Sequence, residues 1–160
     1  MQYFDPSEAD DPFAGIGARL AGDVEAATTR LRTLSESRSI QARAPGKWSP
    51  KEILGHLVDS ASNNHHRFVR AQLASAFQGP GYEQARWVAA QRYRDRSWGD
   101  LVELWSSYNR HLAHVIAAIP EERRHTPCVI GDGPAVTLAH VALDYVAHIQ
   151  HHLRQIFEEP

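Results

Sequence analysis

Four long segments of the chain carry apolar residues at the three- and four-residue spacing of amphipathic helices. Most prolines and glycines fall between these segments, where they mark turns. No stretch alternates apolar and polar residues strongly enough to predict a sheet. The four predicted helices run from about Phe13 to Ser37, Pro50 to Phe77, Ser97 to Ile119 and Thr137 to Ile156.

Two of these helices begin with a clear start signal. Ser49 is placed as an N-cap ahead of Pro50, and Glu52 stands where its carboxylate returns a hydrogen bond to the cap. Ser97 and Asp100 repeat the same spacing at the start of the third helix. These signals fix the two starts more sharply than the apolar pattern does.

The connections between the helices suggest how they pack. The first is short and turns at Pro45-Gly46, while residues 79–97 and 121–136 form longer connections. A short helix is predicted within the second, over Gln84 to Arg92. Four amphipathic helices with such connections predict an all-α four-helix bundle, formed by one domain over residues 1–160.

Composition narrows the class of protein. The chain has 160 residues, of which 42% are hydrophobic and 22% charged, and this excludes a disordered chain. Lys and Arg number 17 against 19 Asp and Glu, so capture of nucleic acid by charge is not expected. The one cysteine, Cys128 in a predicted loop, excludes an intramolecular disulfide and is interpreted as a bystander. With no long apolar run or leader, we expect a cytoplasmic protein without a membrane partner.

The chain's ten histidines include a pair with metal-ligand spacing. His148 and His152 lie four residues apart on the apolar stripe of the last helix, so both rings leave the same face. His56 on the second helix offers a third ligand, and Gly55 beside it suggests a close approach of neighbouring backbone or ligand. Three histidines on two helices would bind Zn²⁺ or Ni²⁺ and leave a coordination position open, as catalytic sites do.

An ordinary alternative stands beside this hypothesis. A buried histidine is more often a core residue bonded to a carbonyl or hydroxyl, and spacing alone does not separate the two cases. Surface or helix-end roles are predicted for the five histidines without a spaced partner, which are His65, His66, His111, His114 and His125.

Several neighbours of the three histidines are candidates for supporting roles. His140 and Asp144 precede His148 at four-residue steps and either orient the ligands or form a surface pair. His151 points about 100° away from His152 and is not expected to share its ion. Asp59 is a candidate general base or orienting residue, and a solvated helix residue is the alternative.

One segment combines basic and aromatic residues. It contains Arg86, Trp87, Arg92, Tyr93, Arg94, Arg96 and Trp98. Such a cluster stacks on a base or holds an anionic substrate. Asp95 and Asp100 dilute its charge, so binding of nucleic acid is the weaker hypothesis.

Two stretches together resemble the DinB/YfiT-like superfamily. One is Trp48-Ser49 with Glu52 and the run from Gly55 to Ser60, and the other is the Tyr145-x-x-His148-x-x-His151-His152 region. The resemblance implies a bundle of up-down-down-up topology. It also implies a nickel or zinc ion held by three histidines, and the matching positions are His56, His148 and His152.

The resemblance leaves several functions open. Members include thiol-dependent S-transferases that use bacillithiol or mycothiol, mycothiol-dependent maleylpyruvate isomerases, metal-dependent hydrolases and products of damage-inducible genes. We therefore expect a metal that activates either a low-molecular-weight thiol or a water, with Asp59 or Asp144 as the base for hydrolysis. A non-catalytic metal-binding or stress-related interaction bundle is the alternative.

The same resemblance sets expectations about partners. The expected substrate is a small molecule, and the chain is expected to form a homodimer. Arginines 86–96 with Trp98 are expected to line the mouth of the site and recognise an acidic thiol.

Overall fold

The computed structural model describes residues 11–158 of the chain. Within them the α-helices are Ile16–Leu31 (α1), Glu36–Ser39 (α2), Pro50–Gln72 (α3), Gln84–Gln91 (α4), Trp98–Ala117 (α5) and Leu138–Phe157 (α6). Single turns of 3-10 helix occur at Tyr93–Asp95 and Glu121–Arg123, and the strands are Phe77–Gly79 (β1), Pro127–Ile130 (β2) and Val136–Thr137 (β3). The long helices α1, α3, α5 and α6 form the predicted four-helix bundle.

The start signals found in the sequence form the expected hydrogen bonds. The Ser49 hydroxyl accepts from the Glu52 backbone N–H, and the Glu52 carboxylate accepts from the Ser49 N–H at 2.9 Å. Ser97 caps α5 by accepting from the Asp100 N–H, and Thr137 caps α6. Because the caps satisfy backbone donors that the first helical turn leaves free, they fix where each helix begins.

The core lies where α5 packs against α1 and α3, and where α3 packs against α6. Trp105 of α5 is fully buried, and Phe68 of α3 meets Tyr145 of α6 edge to face with ring centroids 5.6 Å apart. The buried Tyr145 hydroxyl donates to the Asn109 side-chain oxygen at 2.6 Å. This bond satisfies a polar group in the centre of the bundle. None of the helices described is long and apolar enough to cross a membrane.

The sequence predicted that the chain forms no sheet, and this prediction is wrong. β1 pairs in parallel with β2, and β2 pairs antiparallel with β3. Cys128, placed in a loop by the sequence, lies in β2 and is fully buried opposite Phe77. Strands of two to four residues are too short to show an alternating pattern.

The predicted ends of two helices also need correction. The first predicted helix is divided, because α1 ends at Leu31 and Ser35 caps the separate short helix α2. The second ends at Gln72 rather than at Phe77. Phe77 instead joins β1, where pairing and burial of its ring prevail over continuation of the helical pattern.

An ionic contact between a buried lysine and an exposed glutamate ties α2 to α3 and to the start of α5. The side chain of Lys51 is only 2% exposed, and its ammonium contacts the Glu36 carboxylate and donates to the Arg94 carbonyl oxygen at 3.3 Å. The other Glu36 oxygen accepts from the Trp98 N–H at 2.8 Å. The hydrogen bonds from Lys51 and Trp98 lower the pKa of Glu36.

Candidate metal centre

Three imidazoles from two helices meet between α3 and α6. One nitrogen from each of His56, His148 and His152 lies within 4.8 Å of the others. The Nε2 atoms of His56 and His148 are 3.1 Å apart. His56 is fully buried, while the other two rings are partly exposed. The structure thus brings together the three histidines that the sequence selected.

The rings of α6 are held by side chains on their outer nitrogens. His148 Nδ1 lies 3.4 Å from the Ser60 hydroxyl, and His152 Nδ1 lies 2.8 Å from the Gln155 side-chain oxygen. An amide oxygen only accepts, so the His152 Nδ1 carries the proton and its Nε2 keeps a free lone pair. Partners of this kind fix the tautomer of histidine ligands in metal sites.

His56 has no hydrogen-bond partner on its other nitrogen. Its Nδ1 is buried and unpartnered, and the Trp48 ring covers the imidazole with centroids 5.2 Å apart. A buried nitrogen without a partner is costly, by roughly 1–3 kcal/mol. The imidazole is therefore held in place by packing rather than by a second hydrogen bond.

Burial keeps the imidazoles neutral. It is the main reason that the pKa of His56 falls to about 3 and that of His148 to about 4, and nearby histidines lower both further. Burial also lowers the pKa of His152. Neutral imidazole is the form that binds a metal, so the three rings are ready to act as ligands at neutral pH.

These observations fit a divalent transition metal. Three neutral nitrogen donors converge, their outer nitrogens are mostly engaged elsewhere, and imidazole suits zinc, nickel and cobalt. In the described part of the chain, no fourth His, Cys, Asp or Glu joins the group. Three protein ligands leave a position for solvent or substrate, as catalytic zinc sites do.

Asp59 follows His56 by three residues on α3 but does not bond to an imidazole. Its Oδ1 accepts from the Tyr93 hydroxyl and from the Gln91 side-chain amide, both at 2.6 Å. Its Oδ2 is buried without a partner, and burial raises the pKa of the carboxyl. The expectation of a solvated residue is therefore wrong, as is that of a direct orienting contact, while the role of base stays a prediction.

A tyrosine ring explains the glycine next to His56. A Cβ atom on Gly55 would overlap the ring of Tyr93, whose side chain is buried against α3. The sequence indicated a close approach of backbone or ligand here, but the close neighbour is a side chain. Gly55 lets Tyr93 reach Asp59 across the face of the helix.

The supporting residues differ from those that the sequence proposed. His140 and Asp144 are exposed and form no hydrogen bond with the ligand imidazoles, whereas Ser60 and Gln155 do. His151 is exposed and bonds to the Gln155 amide, outside the group of ligand atoms as predicted.

Two cavities open onto the histidines from different sides. The first, about 490 Å³, is lined by His148 together with Ser60, Arg67, Tyr82 and Asp144. The second, about 480 Å³, is lined by His152 together with Arg43, Trp48, Ile53 and Gln155. Each cavity therefore reaches a different imidazole of the same site.

The basic and aromatic segment does not line this site as expected. None of its arginines borders either cavity, and Arg86 and Arg92 are exposed and paired with Glu83 and Asp95. Trp98 is buried, where its indole N–H donates to the Leu31 carbonyl at 2.9 Å. Only Gln91 and Tyr93 approach the site, through Asp59, as described above.

The sequence missed Arg67, which borders the first cavity. It stands on α3 at the helical spacing of His56, Ser60 and Asn64, so the same periodicity that selected His56 contains a signal for it. Arg67 was overlooked because it lies far in sequence from the other charged residues that were considered as site candidates.

The other histidines lie away from the metal centre. His66, His111, His114 and His125 are exposed, as predicted. His65 is partly buried, because its Nδ1 lies 3.1 Å from the Tyr108 hydroxyl and its ring packs against His111. Burial lowers the pKa of His65.

Comparisons with known proteins agree with this architecture. A family model described as the DinB superfamily matches residues 19–156. A solved structure, YfiT from Bacillus subtilis, is described as a probable metal-dependent hydrolase with an unusual four-helix bundle topology. It superposes with a TM-score of 0.81 over 98% of this chain and 91% of that chain, at 16% sequence identity, which establishes a shared fold. No curated protein sequence matches the chain.

Proposed function

The chain belongs to the DinB superfamily, and from that premise we propose that it is a metal-dependent enzyme acting on small molecules. The convergence of three neutral imidazoles within 4.8 Å carries the proposal. His56, His148 and His152 would hold a zinc or nickel ion, which would serve as a Lewis acid toward a thiol or water. Ser60 and Gln155 orient two of these imidazoles through their Nδ1 atoms.

Transfer to a low-molecular-weight thiol is the reaction that the cavities favour. A transferase must hold two substrates at once, and the cavities at His148 and His152 give each substrate its own approach. The thiol sulfur forms a bond to an electrophilic carbon, the leaving group departs with the bonding electrons, and the thiol proton passes to solvent. This reaction needs no nucleophile from the protein.

Hydrolysis is the second candidate, and Asp59 is the observation that favours it. Its carboxyl group is buried with one unpartnered oxygen, and its pKa is raised, as expected for a general base. YfiT is itself described as a probable metal-dependent hydrolase. A purely structural metal bundle is less well supported, since such a site takes four protein ligands. The homodimer and the cytoplasmic location stay predictions.

Metal content is the first test of the proposal. Elemental analysis of untagged protein is expected to find about one zinc or nickel per chain in the wild type and in His151→Ala, and almost none in His152→Ala. His151 is the matched control because it is the exposed neighbour on the same helix. Wild-type protein that takes up neither metal on dialysis would contradict the proposal.

The reaction class is tested next with the loaded protein. Thiols with monochlorobimane as electrophile are compared with nitrophenyl esters, each with wild type and His152→Ala. Metal-dependent formation of the thioether supports transfer. Metal-dependent ester cleavage that is lost in Asp59→Asn supports hydrolysis instead.

A further inference from the structure

Arg67 has unused hydrogen-bonding capacity in the first cavity. Its guanidinium donates to the Asn64 side-chain oxygen at 3.3 Å, and it forms no ion pair with any carboxylate among residues 11–158. The residue is partly buried, and burial lowers its pKa. A guanidinium carries five N–H donors, so most of its donors face the cavity or solvent.

A line of side chains connects this guanidinium with the metal centre. Asn64 accepts from Arg67 and donates to the Ser60 hydroxyl at 3.3 Å, and Ser60 in turn contacts His148 Nδ1 at 3.4 Å. All three residues lie on one face of α3. Arg67 stands seven residues beyond Ser60, about 10 Å along the helix axis.

The charges around the cavity indicate what kind of group binds there. Asp144 borders the same cavity as Arg67 and acts on its charge through space, without forming an ion pair. Arg67 supplies one positive charge to an anion in the cavity, and the Asp144 carboxylate repels a dianion such as phosphate more strongly than a monoanion. A carboxylate matches both the single charge and the planar fork of the guanidinium.

We propose that Arg67 binds a carboxylate of the substrate, whose reacting group lies at the three histidines beyond Asn64 and Ser60. The substrate class is therefore an elongated carboxylate, in which a chain of several carbon atoms separates the acid from the reacting atom and spans Asn64 and Ser60. This inference rests on the proposed function for the reacting end, but the carboxylate subsite exists whether or not the metal is bound.

Binding of hexanoate to the metal-free protein tests the subsite by itself. Titration followed by amide chemical shifts is expected to give saturable binding in the wild type and in Arg70→Gln, with shifts at Asn64 and Arg67. Arg67→Gln is expected to weaken binding at least about tenfold, the loss typical of a charge-assisted hydrogen bond. Arg70 is the matched control, since it is exposed on the same helix.

The chain length is tested with cobalt-loaded protein. The absorption of a cobalt-bound thiolate reports binding of 6-mercaptohexanoate, with 6-mercaptohexanol as the uncharged analogue. The acid is expected to bind at least about tenfold more tightly than the alcohol, and this preference is expected to disappear in Arg67→Gln.

The two measurements separate the possible failures. Protein that binds no cobalt but shows Arg67-dependent binding of hexanoate contradicts the proposed function and leaves the subsite intact. Equal affinity for the acid and the alcohol, or hexanoate binding in Arg67→Gln within about twofold of wild type, overturns the inference. Arg67→Lys keeps the charge without the fork and gives a second variant if Arg67→Gln does not fold.

Discussion

Two basic side chains on α3, Lys51 and His56, are both removed from solvent, but they meet different surroundings. The Lys51 ammonium is paired with the Glu36 carboxylate and with the Arg94 carbonyl oxygen. His56 faces two further imidazoles, its Nδ1 has no partner, and it is neutral because burial lowers its pKa to about 3. Only Lys51 has a side chain of opposite charge as its partner.

The difference separates a structural contact from a binding site. At Lys51 the polar groups satisfy one another and tie α2, α3 and the start of α5 together. At His56 three imidazole nitrogens converge, the His56 Nε2 and His148 Nε2 atoms lie 3.1 Å apart, and the His56 Nδ1 has no partner. A metal ion that accepts the lone pairs would complete this site. A buried polar group that lacks a hydrogen-bond partner in an otherwise well-packed core is thus the feature that identifies the functional region.

The largest expected effect is on metal affinity. His56→Gln is expected to weaken zinc binding by more than the roughly 10–100-fold loss that follows removal of an outer partner, because it removes a ligand. The unfolding free energy of the metal-free variant is expected to stay within about 1 kcal/mol of wild type, since His56 makes few satisfied bonds. Competition with a chromophoric chelator measures the affinity, and His151→Gln is the control.

Lys51→Ala is expected to have the reverse profile. It removes a buried side chain with its ionic contact, and the free energy of unfolding is expected to fall by about 2–4 kcal/mol. Zinc affinity is expected to stay within about threefold of wild type. Urea unfolding checks the stability, with the exposed Lys47→Ala as control; a change below about 0.5 kcal/mol in Lys51→Ala would contradict a structural role.

Gly55→Ala sharpens the comparison at a residue between these two. A Cβ here displaces the Tyr93 ring, so we expect a loss of about 1–3 kcal/mol in the free energy of unfolding. Gly22→Ala on α1 is the matched control. A Cβ there meets nothing within 4 Å and is expected to stabilise the protein by up to about 1 kcal/mol. Urea unfolding measures both substitutions. Equal changes in the free energy of unfolding would show that the Tyr93 ring moves aside without cost.

The smallest expected effect comes from protons. The pKa of His56 is about 3 and that of His148 about 4, both below the ordinary 6.5. Below pH 6.5 these two histidines therefore bind protons in the unfolded chain but not in the folded chain. The metal-free protein is therefore expected to lose about 1 kcal/mol between pH 6.5 and pH 6. His65, whose pKa is also lowered, acts in the same direction.

Thermal unfolding of the metal-free protein at several pH values measures this loss. In His148→Gln the dependence of stability on pH is expected to be weaker, because one of the two histidines with a lowered pKa is removed. Stability that is constant or increases as the pH falls would show that the folded protein accepts protons at this site.

What the sequence predicted correctly rests on local rules. The start of α3 follows from Ser49 and Glu52, which lie three residues apart and bond to each other. The pairing of His148 with His152 follows from one turn of helix. His56 was found only because it stands on the apolar face of a second helix, so the bundle had to bring that face against α6.

What the sequence did not predict depends on contacts between distant residues. Asp59 and Tyr93 are 34 residues apart, and neither one signals the other through spacing. Phe77 pairs with Cys128 in strands too short to be recognised. Asn64 and Ser60 were polar positions on a helix face, and only the packing of α6 shows that Ser60 reaches His148.

The small sheet determines which parts of the molecule are free to vary. The parallel pairing of β1 with β2, extended by the bond from the Gly131 N–H to the Gly79 carbonyl at 2.9 Å, joins the connection after α3 to the connection before α6. Gly81, Ile130 and Gly133 of these connections border the first cavity, whereas the imidazoles stand on helices. We therefore expect changes in these loops to alter the shape of the first cavity without moving the nitrogen donors, so that selectivity varies separately from reactivity.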